Sequence, residues 1–237
     1  MKYFRLFFAL LSIATLIILD SCSSGKAAYE QGNYYESVMT SVSRLRRNSD
    51  HKKSVETLRQ AYPLAVRYYE DQANNVLASN NEFKWTAVVQ SYTMINMMYD
   101  DIRRCPGALA VIPNPVNYHN KLDEAKRNAA DENYQAGILA LAVGSRDKAK
   151  QAYGLFKRTN DFVSGYKEVN SYMEQALFAA TVKVLVTPIP VTKNVAWSAE
   201  FFDDKVSEFL HTASINEFVK FYTYQEAQTL KLNPDHV

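Results

Sequence analysis

Apolar residues along this chain follow three different spacings. From Leu6 to Leu19 they form an unbroken run, interrupted only by Ser12 and Thr15. From about residue 34 to 179 they recur every three or four positions, the period of a helix with one buried face. Over Thr181–Thr187 they alternate, with Val182, Val184 and Val186 on one side, the period of a strand. The pattern therefore predicts a mainly α protein, an antiparallel helical array followed by a small strand–helix–strand segment.

The elements follow from these spacings. Gly32 precedes a helix with Val38, Val42 and Leu45 on one side, and Asn48-Ser49-Asp50 ends it and can cap the next. His51 to about Ser79 is helical through Val55, Leu58, Tyr62, Val66 and Tyr69, with Pro63 expected to kink or break it. After Asn80-Asn81 a helix spans roughly Glu82 to Arg103. Cys105–Pro115, with three prolines and a glycine, reads as a loop. Helices follow over 118–143, over Arg146–Lys157, and from a cap at Thr159-Asn160-Asp161 to about Ala179. Pro188 and Pro190 end the first strand. Ala199–Leu210 reads as a helix anchored by Phe201, Phe202, Val206 and Leu210. Phe218–Tyr224 is a second strand, and Gln225–Leu230 a short helix. Asn233-Pro234-Asp235-His236-Val237 reads as a turn with more chain or fold to follow.

The first apolar run changes the picture of where the protein sits. Lys2 and Arg5 precede it, and Leu19-Asp20-Ser21-Cys22 follows. A basic head and a short apolar run make a secretory signal. The run is shorter than the ~20 residues that span a bilayer. Leu19, Ser21 and Cys22 resemble the lipobox of bacterial lipoproteins; Asp20 departs from its usual small residue. That resemblance implies cleavage before Cys22, acylation of Cys22 with chains such as palmitate, and anchoring to a membrane. Ser23 resembles the residue that permits sorting to the outer membrane, with the periplasmic face expected. The alternative is ordinary cleavage that leaves Cys22 as a free thiol. The expected organisation is a signal peptide at 1–21, a lipidated tether at 22–26, a helical domain at 27–180 and a strand-containing segment at 181–237.

Composition narrows the partners. Lys2, Arg5 and Asp20 leave with the leader, so 27 basic and 25 acidic residues become 25 and 24. A balance this even argues against nucleic acid as a partner. Seven glycines in 237 residues are too few for a turn-rich all-β protein. Acylated Cys22 would leave Cys105 without an intrachain partner, so it is expected as a small buried apolar residue.

The helical region resembles tetratricopeptide repeats, in which small residues let paired helices approach. In the better copy, near 130–161, Gly137 stands at the first small position, Gly144 at the turn, Ala149 at the small contact of the second helix and Tyr153 at the aromatic that follows. Asp161 replaces the usual terminal proline, and Asn133 and Ala140 stand where large aromatics are common. In the other copy Gly25 and Gly32 repeat the spacing, with Tyr34 after the turn and Ser37 and Ser41 in the second helix. Gly32 and Gly144 lie 112 positions apart, not a multiple of the family's period of about 34. A generic helical array with coincidental glycines is the plainer alternative. The resemblance implies a groove that binds envelope proteins or peptides, with Tyr134, Ile138 and Leu141 as candidates to face it or to pack in the core. The adjacent pairs Tyr34-Tyr35 and Tyr68-Tyr69 place at least one ring of each toward the surface, because neighbours on a helix diverge.

Catalytic chemistry is not legible. His51, His119, His211 and His236 stand in no metal-ligand spacing, and Asp100-Asp101 and Asp203-Asp204 read as solvated faces. There is no phosphate-binding glycine loop and no nucleophile elbow. The expectation is a non-enzymatic scaffold or adaptor without cofactor or metal. The alternatives are a surface glycan- or nutrient-binding lipoprotein, for which Trp85 and Trp197 are the tryptophans on offer, and an envelope hydrolase.

Overall fold

The computed structural model describes residues 25–187 and 216–235, together with 201, 204, 205 and 208–210. The expected leader and Cys22 lie outside them. The protein is mainly helical with a small two-stranded sheet, and it divides into two compact units, Met1–Ala129 and Ala130–Val237. The spacing change at 181 is where strand begins, whereas the units divide at 129/130.

In the first unit the helices are α1 (Lys26–Glu30), α2 (Tyr34–Arg47), α3 (Lys52–Leu77), α4 (Lys84–Arg103) and α5 (Pro106–Val111). Asn33 caps α2 by accepting the Glu36 amide at 3.2 Å. Val38, Val42 and Leu45 are buried, as their spacing requires. They meet Leu58, Tyr62 and Val66 of α3 and Ile95, Met98 and Ile102 of α4 in one core.

Three local expectations change here. His51, not Asn48-Ser49-Asp50, caps α3: its Nδ1 accepts the Ser54 amide at 3.3 Å. Helix α3 continues through Pro63 without a break. Pro63 and Arg59 are both exposed, so water can bond the Arg59 carbonyl that the proline leaves without a donor. The expected loop at Cys105–Pro115 contains α5, with Pro106 in its first turn, where a missing N–H costs nothing. Cys105 is fully buried, and its thiol lies 3.7 Å from the Val42 carbonyl.

Helix α6 (His119–Ala142) carries the chain across the division, and α7 (Arg146–Phe162) and α8 (Val169–Ala180) belong to the second unit. Gly144, at φ +76°, turns the chain after α6, a conformation costly for any residue with a Cβ. Gly137 allows close approach: a Cβ there would lie 2.6 Å from the Phe156 ring. Helix α7 runs five residues past the expected end at 157. Thr159 does not cap α8; it is buried, and its hydroxyl donates to the Leu155 carbonyl at 3.0 Å. Asn160 instead accepts the Gly165 amide at 2.9 Å and shapes the α7–α8 loop.

Strands β1 (Val182–Val186) and β2 (Val219–Thr223) pair in parallel, with Val182 opposite Val219 and Val186 opposite Thr223. Helix α9 (Tyr224–Thr229) starts on a capping box in which Thr223 and Glu226 exchange bonds. The sheet packs on the helices, with Phe218 edge-on to Tyr153 of α7 at 5.6 Å. The outer edge of β1 is covered in part by Asp235, which accepts the Lys183 amide and donates its own to the Lys183 carbonyl, both at 2.8 Å. That amide, and Arg146 beside it, hold the Asp235 carboxyl below the usual carboxylate range.

Of the expected helix at 199–210, the described residues are helical, with Phe201 exposed rather than an anchor and Leu210 half-buried. Phe202 and Val206 lie outside the described residues.

Candidate binding cleft

The tyrosine pairs noted in the sequence converge. Gly32 and Asn33 turn the chain from α1 into α2 and set Tyr34 and Tyr35 on its first turn. Ala65, Tyr68 and Tyr69 follow the three-and-four spacing on α3, which puts them on one face. Gln31 to Tyr35 and these three α3 residues line an open cleft of about 340 Å³. Ala65 is buried, and a larger side chain there would occupy the space.

The rings brace one another edge to face. Tyr35 meets Tyr69 at 6.1 Å, Tyr68 meets Tyr69 at 5.2 Å, and Tyr34 tilts against Tyr29 at 5.7 Å. The Tyr35 hydroxyl lies 3.8 Å from the Met97 sulfur. Tyr68 is 56% exposed and Met97 45% exposed, so the cleft opens beside two large uncovered side chains. Burial, then the carboxylate of Asp101, pushes the Tyr35 hydroxyl up, and burial pushes up Tyr69. Both stay protonated at neutral pH and can donate hydrogen bonds.

A second, polar cleft of about 250 Å³ lies between α3, α4 and the start of α6, lined by Glu70, Asn74, Tyr92, Tyr118 and Lys121. Its groups engage one another. The Tyr118 hydroxyl donates to Glu70, and Lys121 sits 3.9 Å over the Tyr118 ring. The segment before α6 is fastened below by Val116 N–H donating to Tyr62 Oη at 2.6 Å and Tyr118 N–H donating to Asn96 at 2.8 Å. This arrangement stabilises a connection rather than presenting a reactive group.

Burial, and next the bond to Glu70, push Tyr118 up to about 12. Its ordinary value is about 10. Between those values the folded chain holds a proton that the unfolded chain has released. The stability from this tyrosine is therefore complete below about pH 10 and lost as pH rises through about 12. Tyr118→Phe should flatten the alkaline fall of the unfolding midpoint across that window. An unchanged slope would show that folding does not hold the Tyr118 proton more tightly.

The remaining candidates separate. Tyr134 is 4% exposed and sits among Phe156, Tyr166 and Tyr172, with its hydroxyl donating to Glu168 at 3.0 Å. It takes the core role, because its stripe of α6 includes Gly137 and faces Phe156. Ile138 and Leu141 are half-buried. Leu139 and Val143, which the sequence did not single out, are the exposed apolar residues of that region, and they share a face by their spacing of four. Asp101 pairs with Arg46 at 3.1 Å, and Asp100 lies 3.5 Å from His119. Trp85 is half-buried. His211, His236, Asp203 and Trp197 lie outside the described residues. Among the described residues no three His, Cys, Asp or Glu side chains are grouped to hold a metal ion.

Comparison with known protein families, with curated proteins and with solved structures returns no match to this chain.

Proposed function

We propose that this chain is a lipid-anchored envelope protein, held at the periplasmic face of an outer membrane through Cys22, that recruits a protein partner through the tyrosine cleft of its first helical unit. Tetratricopeptide-like helix pairing is the architecture this reading assigns to the array. It is a scaffold or adaptor rather than an enzyme. One observation carries it: four tyrosines from two separate helices line one open cleft, and the ring of Tyr68 is 56% exposed there. Tyrosine gives large contact area with few rotors to freeze and a hydroxyl for orientation, which is why it is enriched where partners bind most tightly. No helix of the described residues is long and apolar enough to cross a membrane, so the reading places attachment on the acyl chains.

Tyr68→Ala removes an exposed ring, so its effect on stability should stay within about 0.5 kcal/mol. Its effect on binding should be about 2 kcal/mol, near thirtyfold, if Tyr68 anchors the partner. Capture from detergent-solubilised membranes with wild type and Tyr68→Ala side by side tests this. A defined envelope protein held by wild type and lost with Tyr68→Ala supports the adaptor. Equal recovery by both moves the binding face elsewhere. Bound sugar without a protein partner, lost with the same substitution, favours the glycan-binding alternative, for which the exposed Tyr68 ring would serve as the stacking surface.

A further inference from the structure

Charge is unevenly placed in the first unit. Arg44, Arg46 and Arg47 occupy the last turn of α2, Lys52 and Lys53 open α3, and Arg103 and Arg104 close α4. These ends adjoin. Arg46 bonds Asp101 at 3.1 Å, and a Cβ on Gly107, just after α4, would lie 3.0 Å from the Ser49 Cα in the α2–α3 turn. The carboxylates here are Asp50, Glu56, Asp100 and Asp101, and Glu56 is engaged by Arg59. Asp101 is engaged by Arg46, and Asp100 lies beside His119. Arg47, Lys52, Lys53, Arg103 and Arg104 are all exposed, and none has an ion-pair partner among the described residues. In a chain whose overall charge nearly cancels, this is a local excess of cations.

The chain enters the unit against the middle of α2. Gly25 is buried against α2, where a Cβ would come within 2.5 Å of the Ser37 carbonyl oxygen and 2.6 Å of the Ser41 hydroxyl. From there α1 runs toward Gly32, antiparallel to α2. Cys22 stands three residues before Gly25, and three extended residues reach at most about 11 Å. Arg44 is one turn beyond Ser41 on α2. The chain therefore joins the unit about midway along α2, and a segment of three residues is long enough to reach toward the basic end.

We propose that the basic end of the first unit is a docking surface for the anionic headgroups of the phospholipid bilayer in which the acyl chains are held. The proposal rests on the reading of Cys22 as acylated. Each Lys or Arg brought to an anionic surface improves partitioning by about fivefold. The anchor holds the unit near the headgroups, so attraction that acts over a Debye length of about 8 Å at physiological salt suffices to orient it. Orientation has a consequence. The tyrosine cleft starts at the opposite end of α2, whose 14 residues rise about 20 Å. Docking by the basic end holds that cleft clear of the lipid, open to a partner.

The test uses the full mature chain with Cys22→Ser, which removes the acyl contribution and leaves the surface. Co-sedimentation is measured with phosphatidylcholine vesicles, with and without phosphatidylglycerol. Binding should require phosphatidylglycerol and weaken with salt. R47Q/K52Q/R104Q should lower it about tenfold or more. The control R67Q/K84Q/K157Q removes equal charge elsewhere and should retain binding, as should the charge-conserving R47K/K52R/R104K. Equal binding to neutral vesicles, equal loss with both glutamine variants, or no binding would overturn the proposal. Fatty-acid labelling of the wild type separates the two readings. Absent vesicle binding with acylated Cys22 removes the docking surface alone; vesicle binding with unmodified Cys22 removes the anchor alone.

Discussion

Phe156→Ala should destabilise the second unit by about 3–5 kcal/mol, the usual cost of removing a buried phenylalanine. Phe156 is fully buried where α6, α7 and α8 meet. It stacks on Tyr172 at 5.4 Å with 24° between planes, and meets Tyr134 at 6.0 Å. Truncation would remove the neighbour that both tyrosines lean on and leave a void that the helices can close only in part. Gly137→Ala attacks the same contact from the other side. Its methyl would lie 2.6 Å from one ring carbon and 2.9 Å from two others, so the ring or the helix must move. Overpacking of this kind costs about 1–3 kcal/mol. The gain in helix propensity, about 1 kcal/mol for glycine to alanine, offsets part of it. The two substitutions should be less than additive, since the void left by one accepts the methyl of the other. Amide hydrogen exchange in α7 and α8 reads this unit by itself. Protection in Phe156→Ala within 1 kcal/mol of wild type would show that the cluster is not what holds the helices together.

Cys22→Ser should let a high-salt wash move the protein from the membrane to the soluble fraction. One fourteen-carbon chain gives only marginal binding, about 10⁴ M⁻¹, while each buried methylene adds about 0.8 kcal/mol. Two or more chains therefore make attachment effectively permanent, whereas the basic end of the first unit would supply only an attraction that salt weakens. Wild type should carry labelled palmitate and partition with detergent; Cys22→Ser should do neither. An unmodified amino terminus on the native product would defeat the lipoprotein reading. It would leave the description of the helices from Lys26 onward unchanged.

Much of the helical order was legible because a helix is a local object. Val38, Val42 and Leu45 announce α2 by spacing, and the structure buries all three. Alternating valines announced β1 in the same way. Where local reading failed, a distant group had taken over. Thr159 is a good cap residue by type, but its hydroxyl bonds within α7 and near the Ala130 carbonyl, so the helix runs on. The prolines after Cys105 resembled a loop, yet Pro106 opens α5, whose Ala108 completes the core of the first unit. Tyr134 pointed toward a groove only until the position of Phe156 was known.

By itself, the sequence determined most of the order of the helices and strands and the face that most of them bury. These depend on neighbours within a few turns, where backbone geometry dictates which side chains align. Tertiary structure alone decided which faces meet. It joined Tyr34-Tyr35 to Tyr68-Tyr69 across a cleft. It drew cations from three helix ends together. Those meetings depend on how far each helix is rotated and where it crosses the next. Packing of complete side-chain surfaces sets both quantities, and no short window of sequence contains them.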